Sequence, residues 1–225
     1  MASVIKRFSM LRRHPALTRE IFSRHYLEVH GPLAAAQTGF QRFAYRYDQN
    51  HVEGDLLGDD DPPFTGVTVT FQVPRTDYRQ GFFQHPDYAN VRPDEERLFD
   101  MSRTVSVLAE ETVVVAGEGA AKAIIACRSG TPRAPEDHAM VGPLPGCIRK
   151  LVRNDLDTAS ASALGLGRAA VEYGRIWEVW FDSPEARARC LSEEPLMSLV
   201  CRGDPNEVLV ALAVREVTIF QRGFP

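Results

Sequence analysis

The chain has 225 residues, is 44% hydrophobic and 25% charged, and carries a formal net charge of −4. That balance suits a globular protein of one large or two small domains. Basic residues form no stripe with interleaved aromatics, which argues against a nucleic-acid partner, and no apolar run approaches the length of a membrane span.

The N-terminal Met-Ala-Ser-Val-Ile-Lys-Arg lacks a signal-peptide core and leads directly into a strand, Val4 to Leu11. Thr18 is an N-cap for a helix that carries Phe22, Tyr26, Val29 and Leu33 at the spacing of a packed face. His25 and His30 fall on opposite shoulders of that stripe. Gly31-Pro32 follows His30 at once, so this imidazole sits where the helix ends or kinks. Phe40 to Tyr47 reads as a second strand, with Tyr45 and Tyr47 on one face and Arg42 and Arg46 on the other. An acidic loop from His51 to Pro63 precedes a third strand around Val67 to Val73. Short helices are expected from Pro74 to Phe83 and around Asp94 to Asp100, then a fourth strand from Thr104 to Val115. The order is β-α-β-β-α-β.

After Gly117-Glu118-Gly119 the pattern restarts. Strands are expected at Ala121 to Cys127, Cys147 to Arg153, Arg175 to Phe181 and Val208 to Phe220. Ala159 to Gly167 reads as a small-residue loop, and Ser183-Pro184 opens a helix. Gly142-Pro143-Leu144 echoes Gly31-Pro32-Leu33, and the spacing from Pro143 to Pro184 matches that from Pro32 to Pro74 within one residue. The segment before Gly142 leaves no room for a full first helix, and Val141 stands where His30 stands in the first copy. Five of the six histidines lie in the first half, so that half holds the reactive groups. Cys127, Cys147, Cys190 and Cys201 lack metal-site spacing and read as reduced, buried thiols of a cytoplasmic protein.

His30 is the leading acid/base candidate, because imidazole can take up and return protons near neutral pH. Its competing role is to cap backbone carbonyls at a helix end. Tyr26, one turn earlier, is placed either to hydrogen-bond a ligand or to pack in the core. His85 with Asp87 forms a possible dyad, against a simple turn cap. Phe22, Tyr45 and Tyr47 are candidate pocket walls, and Arg46 a candidate partner for a carboxylate or enolate oxygen. No metal constellation is evident, and the acidic cluster from Glu53 to Asp61 lacks calcium-loop spacing.

The His30-Gly31-Pro32-Leu33 element, with His85-Pro86-Asp87-Tyr88, Asp94-Glu95-Glu96 and Phe99-Asp100 downstream, resembles the EthD family of the dimeric α/β-barrel superfamily. The resemblance implies two ferredoxin-like βαββαβ units in tandem, an α+β fold whose sheets pack face to face as an intramolecular dimeric α/β-barrel. Residues 1–117 form the EthD-like unit with the active site, and 118–225 a degenerate, mainly structural copy. It also implies a small organic substrate, aromatic, polyketide-like or lactone; the residues themselves single out no metal or cofactor ligand, so none is expected. The leading function is a cofactor-independent isomerase, cyclase or decarboxylase. The alternatives are a non-catalytic binder or accessory protein and a cofactor-free oxygenase. No membrane partner is expected; the pseudo-dimer leaves a further homodimer open.

Overall fold

The computed structural model describes residues 4–73, 82–83, 85–128, 146–163, 167–168, 171–193 and 207–223. Nine strands appear in it: β1 Ile5–Leu11, β2 Ala44–Asp55, β3 Gly66–Gln72, β4 Val105–Val115, β5 Ala121–Arg128, β6 Ile148–Ala163, β7 Gly167–Arg168, β8 Tyr173–Phe181 and β9 Val208–Gln221. Among the described residues five short α-helices accompany them: α1 Arg19–His25, α2 Gly31–Ala35, α3 Thr38–Phe43, α4 Tyr88–Leu98 and α5 Pro184–Glu193. The expected helix from Pro74 and the Gly142-Pro143-Leu144 turn lie, wholly or mostly, outside the described residues.

The expectation of two ferredoxin-like units with sheets packed face to face is overturned. The chain forms one closed antiparallel barrel of eight strands, in the order β4-β1-β3-β2-β9-β5-β8-β6, with β6 returning to β4 and the two-residue β7 appended to β6. Two edge pairings close it: β2 with β9 from Arg46 to Asp55, and β4 with β6 from Val105 to Val115. The edge strands are the long ones, with 12 residues in β2, 11 in β4, 16 in β6 and 14 in β9, against 7 in β1 and β3. Their overhang supplies the cross-pairing that an open sheet would leave unsatisfied. The sequence reading cut β2 and β6 short. It ended β2 at Tyr47 and assigned Ala159 to Gly167 to a loop, whereas β6 runs on to Ala163.

Strand alternation then sorts the side chains. Phe8, Met10, Val67, Val69, Ile124 and Leu212 point into the barrel and join one buried cluster drawn from both halves of the chain. One end of the interior is charged. Lys6 and Lys122 share the buried carboxylate of Glu178, Lys6 also reaches Glu111 at 2.6 Å, and Lys122 also reaches Glu216. Those two flanking lysines hold the Glu178 carboxylate, despite its burial, down to about 2. The arrangement repeats across the barrel. Lys6 pairs in register with Phe71 and Lys122 with Trp180, and each ammonium lies over its aromatic ring, at 5.0 and 4.4 Å.

On the outer face, Ala186 and Cys190 of α5 pack on β5 and β8. Cys147 is bonded to Cys190 in a disulfide, and Cys127 is disulfide-bonded as well, which corrects the reading of reduced thiols. Among the described residues no helix is long and apolar enough to cross a membrane.

Candidate active site

The helix carrying His30 does not end there. Thr18 caps it, accepting from the Ile21 backbone N–H at 3.2 Å, and it runs through α1 into a π-helical turn, Tyr26–His30, before α2. Pro32 has no N–H to offer the carbonyl four residues back, and the Gly31 N–H bonds the Tyr26 carbonyl, five residues back. The Gln49 side chain donates to the same carbonyl at 2.6 Å and ties the turn to β2. The wider turn shifts the helix phase. Phe22, Tyr26, His30 and Ala34 are buried, while Val29, expected on the packed face, is 45% exposed.

The same shift corrects the placing of the two imidazoles. His25 and His30 do not face opposite ways; both meet the Asp94 carboxylate of α4. His30 Nδ1 lies 2.9 Å from Asp94 Oδ2, and His25 Nε2 lies 2.6 Å from Oδ1. Burial raises the Asp94 pKa, but the hydrogen bonds from His30 and His25 outweigh it and hold the carboxyl below its usual range. An ionised carboxylate only accepts, so His30 Nδ1 carries a proton; in the neutral ring Nε2 is then the acceptor. No hydrogen bond engages Nε2 among the described residues.

His30 lines a pocket between the helices and the outer face of the first-half strands, with about 620 Å³ of space, its open mouth included. Its floor is polar: Arg7, Ser9, Tyr47, Thr68, Thr70 and Gln72. Its walls are aromatic, with Phe40, Phe43, Phe82, Phe83 and Phe99. His30 meets Phe99 edge-on at 5.1 Å. Arg7 is buried; its guanidinium donates to Ser106 and lies 4.5 Å from the Phe83 ring centroid. Burial lowers its pKa to about 9, against the opposing pull of Glu95 and Tyr88, so it remains a cation at neutral pH. Glu95 is buried beside it; desolvation raises its pKa, although the Tyr88 hydroxyl donates to it.

Of the residues expected from sequence, the pocket takes His30 and Tyr47. Tyr26 is fully buried, bonds Thr68 Oγ1 at 2.6 Å and stacks on His30 at 5.9 Å, so it supports the imidazole from behind. Phe22 packs behind Tyr26 at 5.5 Å. Tyr45 does not line the pocket; it sits under Arg222. A β-bulge between Ala44 and Arg46 breaks the alternation, which is why Ala44 and Tyr47 both face the pocket. Arg46 points to the charged barrel end, where it pairs with Asp48 at 2.8 Å. His85 is also elsewhere. It bonds Asp87, whose carboxylate accepts from the Gly39 N–H at 2.9 Å, and the two side chains pack where a Cβ on Gly39 would stand. That pair anchors the start of α3.

Sequence reasoning missed Arg7, Gln72, Asp94 and Glu95 as site residues. Asp94 stands 64 residues from His30, and no local spacing joins them. Among the described residues no group of three or more His, Cys, Asp or Glu is arranged to hold a metal ion.

A closed antiparallel barrel with a helix-covered aromatic pocket, built from one half of the chain around an Asp-held imidazole, defines the class. Residues 14–102, which include His30 and Asp94, match the model of the EthD domain. Among solved structures it is similar to an anthrone oxidase-like protein, with 11% identity, 98% of this chain and 96% of that one covered, and a TM-score of 0.60. It is also similar to a putative monooxygenase from Lactobacillus acidophilus NCFM, with 7% identity, coverage of 97% and 95%, and a TM-score of 0.51. At those identities the likeness is one of fold. No curated protein matches by sequence.

Proposed function

We propose that the chain is an enzyme that moves a proton on a small, largely planar organic molecule held in the EthD half. The observation that carries the reading is His30 Nδ1 fixed on Asp94 at 2.9 Å, on an imidazole that lines a pocket of aromatic walls. His30 Nε2 takes a proton from an acidic carbon or phenol. The buried Arg7 cation offsets the charge left on the substrate oxygen. Glu95, buried beside Arg7 with its pKa raised by desolvation, gives its own proton at a second position, and the proton held on His30 passes to solvent as Glu95 takes one back. The net result is an isomerisation, cyclisation, elimination or decarboxylation that the chain's own side chains can support. Asp94 sets the tautomer and steadies the imidazolium as it forms.

The test is proton exchange. A panel of naphthols and cyclic β-dicarbonyl compounds is incubated in deuterium oxide, and carbon-bound deuterium is followed by NMR. The wild-type chain is expected to label at least one member above background, and His30→Gln to lose that labelling with its melting temperature kept. Labelling that survives in His30→Gln overturns the reading.

A second reading is favoured by the two solved neighbours, described as an anthrone oxidase-like protein and a putative monooxygenase. The same deprotonation leaves an electron-rich anion able to react with oxygen. Oxygen uptake with the same panel separates the two readings. The division into a reactive half, 1–117, and a structural half, 118–225, belongs to this proposal: the pocket's lining residues all lie before residue 100.

A further inference from the structure

The pocket floor holds a polar group with nothing to bond. Gln72 is fully buried, lines the pocket, and among the described residues has no hydrogen-bond partner for either its Nε2 or its Oε1. A buried primary amide left unpaired on both sides is costly, and folded proteins rarely keep one. Nearby amides show the usual outcome: Gln49 Nε2 serves both the Tyr26 carbonyl and the Tyr47 hydroxyl, at 2.6 and 2.9 Å. At the end of β3, opposite Ile5 of β1 and Ala44 of β2, Gln72 finds no such neighbour.

Its place in the strand says where a ligand would meet it. Thr68 bonds Tyr26, on whose ring His30 stacks. Thr70 and Gln72 follow on the same face of β3, so Gln72 is four residues from Thr68, ~13 Å along the strand. Arg7 pairs with Thr70 and stands between the two ends.

We propose that Gln72 is the specificity determinant of this pocket. It reads a planar ligand by an adjacent donor and acceptor, as in a lactam, with the amide giving one hydrogen bond and taking one. The inference rests on the pocket being the ligand site, not on His30 moving a proton. It explains why an amide is kept where a leucine would fit the burial.

The test is binding of two probes, 2-quinolone, which has the paired donor and acceptor, and 2-methoxyquinoline, which has no donor. Both are titrated by calorimetry into the wild-type chain, Gln72→Leu and Tyr45→Phe. The wild type is expected to hold 2-quinolone at least tenfold more tightly than the methoxy compound. Gln72→Leu is expected to bind both within about twofold of each other, with a raised melting temperature because an unpaired amide is gone. Tyr45→Phe, outside the pocket, is expected to keep the tenfold discrimination. Equal affinity of the wild type for the two probes, binding of neither, or discrimination that survives in Gln72→Leu overturns the assignment. Loss of proton exchange in His30→Gln would stand untouched by any of those results.

Discussion

At neutral pH the Asp94 carboxylate accepts from His30 and His25 at once, and the first of those bonds decides what His30 can do. Asp94→Asn puts an amide there, which no longer fixes one tautomer. Turnover on any substrate found by the exchange screen should fall roughly 10²–10⁴-fold with KM little changed, as measured by steady-state kinetics. A different imidazole governs acid stability. His51 is buried with Nδ1 2.8 Å from Ser23 Oγ, and burial, with help from the charge of Arg215, lowers its pKa from 6.5 to about 4. Below pH 6.5 the unfolded chain takes a proton there that the folded chain refuses until about pH 4. The neutral ring's contribution is thus complete above 6.5 and drains away as pH falls towards 4. Urea unfolding between those values should show a falling stability, and His51→Gln should flatten the slope.

The π-helical turn from Tyr26 to His30 is the element that builds the site. It was only half legible. Gly31-Pro32 announces a disturbance after His30, and the Thr18 cap and the burial of Phe22 and Tyr26 follow directly from the helical period. A 3.6-residue period, however, sends His25 and His30 to different faces, and only the five-residue backbone bond from Gly31 to Tyr26 brings them together. The bulge in β2 hid Tyr45 from the pocket in the same way, since strict alternation pairs it with Tyr47. Asp94 and Arg7 were invisible for another reason: their link to His30 is made by tertiary packing. The cysteines were misread because spacing along the chain says nothing of Cα separation, 6.1 Å for Cys147 and Cys190. Closing 43 residues, that bond should contribute about 2–4 kcal/mol. Cys147→Ala with Cys190→Ala should lower the denaturation free energy by that amount.

At the scale of the molecule, the strands were largely foreseen but their closure was not. Alternation marks where a strand is and which face is apolar; it does not say which strand an edge will meet. The long edges of β2, β4, β6 and β9 meet across the two halves, and Glu178 clasps Lys6 from one half and Lys122 from the other. Glu178→Gln leaves two buried ammonium groups short of an anion. The loss should be about 3–5 kcal/mol in urea denaturation, with the unfolding still a single transition. Residues 1–117 expressed alone keep the pocket but expose the edges of β2 and β4, so size-exclusion chromatography should find them associated rather than monomeric.

The account turns on one imidazole whose free nitrogen meets ligand in the pocket. Long-range ¹H–¹⁵N NMR of the histidine rings, with 2-naphthol added, reads this directly. His30 is expected to be the Nδ1–H tautomer at neutral pH, with its Nε2 resonance moving as the phenol binds. An Nε2–H tautomer, or a ring that stays unchanged while the phenol binds, would contradict the account.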